Sequence, residues 1–215
     1  MFINRSLFLL RTLLIEYMNK DSLNDIQTWN RISAGDREAF AVIYKAYSKD
    51  LFKYGFGFTH DEDLIQDAIH DVFVHIWNVR EKISIHRSIK FYLFSSFRRE
   101  IIKMVNHQYK RESIDEYHAK FLWEESFEEL LQKHHIVSES AVMINEALEN
   151  LPLRQKEAIY LRVLEELDYE EISELMGVQV PSIYNLIFKG IKTLKNSLDF
   201  RKIAISIFCF ALLNF

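Results

Sequence analysis

The sequence predicts an all-α protein made of two small helical domains joined by an acidic linker, the second of them a helix-turn-helix domain. Three observations carry this. Glycine and proline number only 5 and 2 in 215 residues, too few for a turn-rich β fold. Apolar residues recur at three- and four-residue steps in two separate blocks, the pattern of one buried helix face. Between the blocks lies a stretch dominated by acids. The expected organisation is an N-terminal extension (1–35), a first domain (36–105), a linker (106–140), a second domain (141–198) and an apolar tail (199–215).

Within the first block, Phe40, Ile43, Tyr44, Tyr47 and Leu51 form one helical face. Gly55, Gly57 and the run Thr59, His60, Asp61 mark a break. A second helix follows, with Leu64, Ile65, Ala68, Ile69, Val72, Phe73, Ile76 and Trp77 as its apolar stripe. Asp63, Asp67, His70 and Asp71 lie largely off that stripe. A third helix, expected over 88–105, carries Phe91, Phe94, Phe97, Ile101 and Ile102. In the linker, acids alternate with Trp123, Phe127 and the pair Leu130, Leu131, which suggests some helical content.

The second block supplies a small core from Leu148, Leu151, Ile159, Leu161, Ile172, Leu175, Ile183, Ile187 and Leu194, among others. Its most informative stretch runs from Leu167 to Asn185. Asp168 can cap a helix, with Glu171 three residues on as its capping-box partner. Gly177 sits where the chain must leave that helix in the left-handed region. Pro181 falls in the first turn of the next helix, where a missing N–H does little harm. In that helix the polar face shows Ser182, Tyr184, Asn185, Phe188, Lys189 and Lys192. Amides can read adenine edges, aromatics can touch a thymine methyl and lysines can hold phosphates, so this is a candidate recognition helix.

The net charge of −4 argues against a DNA binder that works alone, because phosphate contacts supply most non-specific affinity. Any contact with DNA must come from local basic patches aided by a partner. The densest such patch comprises Lys82, Arg87, Lys90, Arg98, Arg99, Lys103, Lys110 and Arg111, interleaved with aromatic residues. A basic groove with stacking platforms suits single-stranded DNA. The phenylalanines there read as core, leaving the cations as the functional part. A flipped base would need a pocket, expected near the loop from Ser84 to Ser88.

The run Ala147-Leu-Glu-Asn-Leu-Pro-Leu-Arg-Gln-Lys-Glu-Ala-Ile-Tyr-Leu161, followed by this helix-turn-helix, resembles the fourth conserved region of extracytoplasmic-function (ECF) sigma factors of bacterial RNA polymerase. The run Asp67-Ala-Ile-His-Asp-Val-Phe-Val-His-Ile-Trp77 resembles their second region, with His70 and Asp71 where Gln and Glu are usual. The run Tyr92-Leu-Phe-Ser-Ser-Phe-Arg-Arg99 resembles the stretch that melts and holds the −10 element, with Arg99 where Asn is frequent. Gln179 stands where the family usually has Ser.

The resemblance implies a factor that binds core polymerase through the β′ clamp helices and the β flap, and directs promoter-specific initiation. By the same resemblance, Ser182, Tyr184, Asn185, Phe188, Lys189 and Lys192 would face −35 DNA. Lys90, Arg98, Arg99 and Lys103 would face −10 DNA, and Asp67, His70 and Asp71 would meet polymerase. It further implies a cytoplasmic protein, without cofactor, regulated by a membrane-bound anti-sigma factor.

Two other DNA-binding readings remain open on the residues alone. A response regulator would end in a similar helix-turn-helix, but it needs a βα receiver or a ligand-binding domain. A phage- or plasmid-type regulator would bind DNA without polymerase. Catalysis finds no support, since no Gly-rich phosphate loop, His-Glu-x-x-His or cysteine pair is present. His70 and His75 lie on different helix faces, and no metal is expected at His134 and His135 or at Asp63, Asp67 and Asp71. The lone Cys209 cannot form an internal disulfide. The apolar run from Phe8 to Ile15 is interrupted by Arg11 and lacks a cleavage site, so a buried helix or an upstream extension before Met18 is expected instead of a signal peptide. The tail from Ile203 to Leu213 is too short to span a bilayer and could dock on the second domain, a partner or a membrane surface.

Overall fold

The computed structural model describes residues 25–85, 87–108, 148 and 150–197. The expectations for Trp123, Phe127, the His134–His135 pair, Met18, Cys209 and the apolar tail fall outside them. All regular elements among the described residues are α-helical. They are α1 (25–33), α2 (Arg37–Gly55), α3 (Glu62–Val79), α4 (Ile89–Gln108), α5 (Leu153–Val163), α6 (Tyr169–Met176) and α7 (Val180–Ser197).

Helices α2, α3 and α4 pack on one another as the first domain. Asp36 caps α2, accepting from the backbone N–H of Glu38 at 2.9 Å and Ala39 at 3.1 Å. Asp61 caps α3 by accepting from Leu64 N–H at 3.1 Å. Ser88 Oγ accepts from Phe91 N–H at 3.0 Å at the head of α4. The expected stripe of α3 is inside, with Ile65, Ala68, Ile69, Val72, Phe73 and Ile76 buried and Trp77 half-buried. From α4 come Phe91, Phe94, Phe97 and Ile101. Gly55 lets α2 approach α3 closely: a Cβ there would sit 2.5 Å from Ile65 Cγ2.

Helix α1 joins this core, although the sequence placed its residues in an extension. Trp29 and Ile32 are buried, and Trp29 Nε1 donates to Ile83 O at 3.2 Å. Asp25 accepts from Ile89 N–H at 2.8 Å, tying α1 to the start of α4. Two buried residues three apart are too short a pattern to read from periodicity alone. Tyr44, expected inside, is exposed at the surface, its ring 4.8 Å from that of Phe73. Tyr54 is fully buried and was not singled out by the spacing.

Helices α5, α6 and α7 form the second domain. Both halves of the capping box are present: Glu171 N–H donates to Asp168 at 2.7 Å, and Asp168 N–H donates to Glu171 at 3.1 Å. Gly177 ends α6 in the left-handed region at φ 67°. Pro181 lies in the first turn of α7. Gly190 lets α7 cross α5, with Ile159 Cδ1 2.6 Å from where a Cβ would stand.

The two domains also pack on each other. Helix α4 contacts α6, and the buried residues of both domains form one cluster. At the junction the rings of Tyr54 and Tyr160 stack with centroids 5.7 Å apart.

Candidate nucleic-acid interface

The turn at Gly177 and the burial of Ile183, Ile187 and Leu194 fix how α7 faces outward. Ser182, Tyr184, Asn185, Phe188, Lys189 and Lys192 are all exposed. Phe188 is 66% and Tyr184 52% exposed, far more than aromatic side chains placed for packing. Tyr184 lies flat against Tyr169, the first residue of α6, with centroids 4.0 Å apart and planes 13° from parallel. The Arg162 guanidinium stands 5.1 Å over Tyr169, and Arg162 Nη1 donates to Leu167 O at 2.9 Å. Arg162 and Tyr169 thus extend the exposed surface of α7, a contribution that sequence reasoning missed. Fifteen residues separate Tyr169 from Tyr184, so no local spacing announces the stack.

In the first domain, Asp67, His70 and Asp71 are exposed on one side of α3, with the apolar stripe behind them. The four cations singled out on α4 fall into two pairs. Arg99 and Lys103 are exposed, and among the described residues their hydrogen-bond partners are local, Arg99 with Ser96 at 3.3 Å and Lys103 with Glu100 at 2.8 Å. Lys90 and Arg98 are turned toward the second domain. Lys90 Nζ lies 2.8 Å from Glu165, and Arg98 Nε lies 2.8 Å from Glu157. A second Arg98 nitrogen donates to the other Glu157 oxygen at 3.4 Å, and Tyr54 O–H donates to Glu157 at 2.8 Å.

These burials move the titrations. Burial works against the Arg98 charge, and Glu157 beside it more than offsets this, raising the guanidinium above its usual value. Burial, then the Glu157 charge, pushes the Tyr54 hydroxyl well up. The Glu165 carboxyl is raised by burial despite Lys90, and Glu171 is raised by burial despite its backbone bond from Asp168.

The loop expected to hold a base pocket leads into the domain junction: Ser88 O–H donates to Glu171 at 3.2 Å, and Arg87 lies 3.8 Å from Asp168 and 3.7 Å from Glu174. A hollow of about 450 Å³ lies beside the far end of α4, walled by Leu64, Glu100, Lys103, Met104, His107 and Gln108. Among the described residues no three His, Cys, Asp or Glu side chains gather as a metal site would need, and no helix is long and apolar enough to cross a membrane.

Known proteins match this arrangement in both halves. The family model for sigma-70 region 2 matches residues 43–111, and that for sigma-70 region 4 matches 141–194. The chain is similar to the ECF RNA polymerase sigma factor SigM of Bacillus subtilis (strain 168), 26% identical over 157 residues, covering 71% of this chain and 91% of the relative. It is also similar to the RNA polymerase sigma factor YlaC of the same organism, 22% identical over 162 residues, covering 75% and 93%. Among solved structures, CnrH in complex with the cytosolic domain of CnrY is similar in fold, with a TM-score of 0.53, 15% identity, and coverage of 81% of this chain and 97% of that one. The sigma factor RpoE bound to the anti-sigma factor NepR from Bartonella quintana gives a TM-score of 0.51, 17% identity, and coverage of 75% and 97%. With region 2 and region 4 matched in order on two packed helical domains, the chain belongs to the sigma-70 family as an ECF-type sigma factor, a protein that directs RNA polymerase to promoters to initiate transcription.

Proposed function

We propose that the exposed face of α7 reads the −35 element through Tyr184, Asn185, Phe188 and Lys189, with Ser182 and Lys192 on the flanking phosphates. Tyr169 and Arg162 brace Tyr184 from α6 and α5. The basic side of α4, with Lys90, Arg98, Arg99 and Lys103, holds the unwound −10 strand. Asp67, His70 and Asp71 meet the β′ clamp helices of core polymerase, where an acidic surface suits a basic partner. The second domain also engages the β flap. The protein works in the cytoplasm under a membrane-bound anti-sigma factor. The solved complex of the sigma factor RpoE with the anti-sigma factor NepR, and that of CnrH with the cytosolic domain of CnrY, support a partner of that kind.

The single observation that carries this reading is the exposure of all six α7 side chains on one face of a capped helix-turn-helix. Transcription with purified core polymerase, with start sites mapped, tests it. Replacing Asn185 and Lys189 with Ala is expected to lower promoter use, about 1–3 kcal/mol for a base-reading amide, while core binding stays unchanged. Replacing Asp67 and Asp71 with Lys is expected to weaken core binding and, with it, promoter use. Loss of core binding in the Asn185 and Lys189 variant, or full core binding in the Asp67 and Asp71 variant, would sink the assignment of roles.

A further inference from the structure

Two tyrosine rings meet on the outer surface of the second domain. Ile183, Ile187 and Leu194 already seat α7 on the core. Tyr184 is more than half exposed, yet its ring lies flat on that of Tyr169, with centroids 4.0 Å apart and planes 13° from parallel. The backbone around Tyr169 is held on both sides. It is the first residue of α6, directly after Asp168, whose capping box closes with Glu171. Before that cap, Leu167 is buried and its N–H donates to Leu161 O at 3.0 Å. The Leu167 carbonyl accepts from Arg162 Nη1 at 2.9 Å, and the Arg162 guanidinium stands 5.1 Å over the Tyr169 ring. A cation over an aromatic ring attracts it, so the ring is held as well as its backbone.

An exposed side chain on a helix divides its time among staggered rotamers, and binding makes it give up that freedom. A ring already stacked has given it up beforehand. The stack covers one face of Tyr184 and leaves the rest of the ring bare. Phe188 stands one turn further on and is more exposed still, so the bare surface continues along α7 as an apolar strip. Among the groups that a base pair presents in the major groove, the thymine methyl is the apolar one. A flat apolar face, set in place before binding, fits that methyl.

Resting on the −35 reading of α7 above, we infer that Tyr169 is a positioning residue for base recognition: it fixes the Tyr184 ring, before DNA arrives, as the contact for a thymine methyl in the −35 major groove. Tyr169 acts through Tyr184 and need touch no base itself. Its effect is to remove the rotamers in which Tyr184 would miss the methyl.

Full-length protein with purified core polymerase tests this, on a promoter located by mapped start sites. Each thymine of the −35 element, on either strand, is replaced in turn by deoxyuridine, which deletes the 5-methyl and nothing else. The readout is the ratio of promoter-complex affinities on thymine and uracil DNA. Wild-type protein is expected to lose about four-fold at one thymine or more, the worth of one buried carbon. Tyr184→Ala is expected to bring that ratio to about one. Tyr169→Leu keeps apolar bulk without a flat ring and returns Tyr184 to several rotamers, so the ratio is expected to fall to about two. Tyr169→Phe, which keeps the ring, is expected to retain the wild-type ratio. A purely structural part for Tyr169 would weaken binding to both DNAs alike; an unchanged ratio in Tyr169→Leu would therefore overturn the positioning role. A wild-type ratio of one at every thymine, or a −35 element without an A·T pair, would overturn it too. Should Tyr169→Leu lose its helical circular dichroism, Tyr169→Gln takes its place with the same two outcomes. The variant with Asn185→Ala and Lys189→Ala is measured in parallel. Full promoter use by that variant would defeat the −35 reading of α7, whereas its expected loss beside an unchanged ratio would defeat the positioning role alone.

Discussion

The two surfaces assigned to DNA differ in how free they are. The face of α7 is open along its length, with Tyr184, Asn185, Phe188 and Lys189 all exposed. The basic side of α4 is divided: Arg99 and Lys103 are open, whereas Lys90 and Arg98 are held by carboxylates of the other domain. The lesson is that a cation counted in a basic patch need not be available. Neighbours in sequence, Arg98 and Arg99, point one into the junction and one into solvent, because successive residues on a helix stand about 100° apart.

That contrast can be broken most forcefully at the arginines. Arg98→Ala leaves Glu157 buried without its guanidinium and is expected to cost about 3–5 kcal/mol of stability in urea unfolding. Arg99→Ala, one residue on, should stay within about 0.5 kcal/mol. Equal costs would show that the two side chains do not differ as described.

A smaller effect separates the two domains at their tightest helix crossings. Gly55→Ala would push a Cβ against both γ carbons of Ile65, with Phe97 Cζ also at 3.2 Å, and is expected to destabilise the first domain by about 1–3 kcal/mol. Gly190→Ala meets the far end of Ile159 at 2.6 Å, which can rotate away, and otherwise makes ordinary contact with Gln155 Cβ at 3.4 Å. There the gain of about 1 kcal/mol in helix propensity should nearly cancel the clash. Thermal melts of the two variants check the difference, and a larger loss for Gly190→Ala would reverse the comparison.

The smallest expected effect is a divergence with pH. Backbone bonds, from Ala39 to Asp36 and from Leu64 to Asp61, lower these helix-capping carboxyls. Their contribution is present above the unfolded carboxylate pKa and is lost as pH falls through their depressed values. Glu165, facing Lys90, Asp50 and Tyr160, and Glu171, facing Asp168, Ser88 and Arg87, are raised by burial. The folded chain therefore binds their protons more tightly, and their cost grows as pH rises from the unfolded value through the raised one. Mild acid, to about pH 5, should then protect the amides of α6 against hydrogen exchange relative to those at the starts of α2 and α3. Uniform protection across these helices would contradict the assignment.

Much of this was legible from residue order. Helix caps are local, so Asp168, Glu171 and Gly177 declared α6 and its exit before any packing was considered. The stripes of α3 and α7 were equally plain, because apolar residues recurring at helical spacing over several turns leave little choice of face. Helix α1 was not legible, since Trp29 and Ile32 are too few to make a pattern. Nor was the partnership of Tyr169 with Tyr184, which depends on how α6 crosses α7.

By itself, then, the sequence determined the all-α class, the two helical blocks in order, the helix-turn-helix and the exposed face of its last helix. These depend on interactions within a few residues, where spacing along the chain equals spacing in space. Only the tertiary structure decided which cations are free. Glu157 is 59 residues from Arg98 along the chain and 2.8 Å from it in the fold. No periodicity reports a contact of that kind, because it arises from the docking of two domains whose own patterns are complete without it.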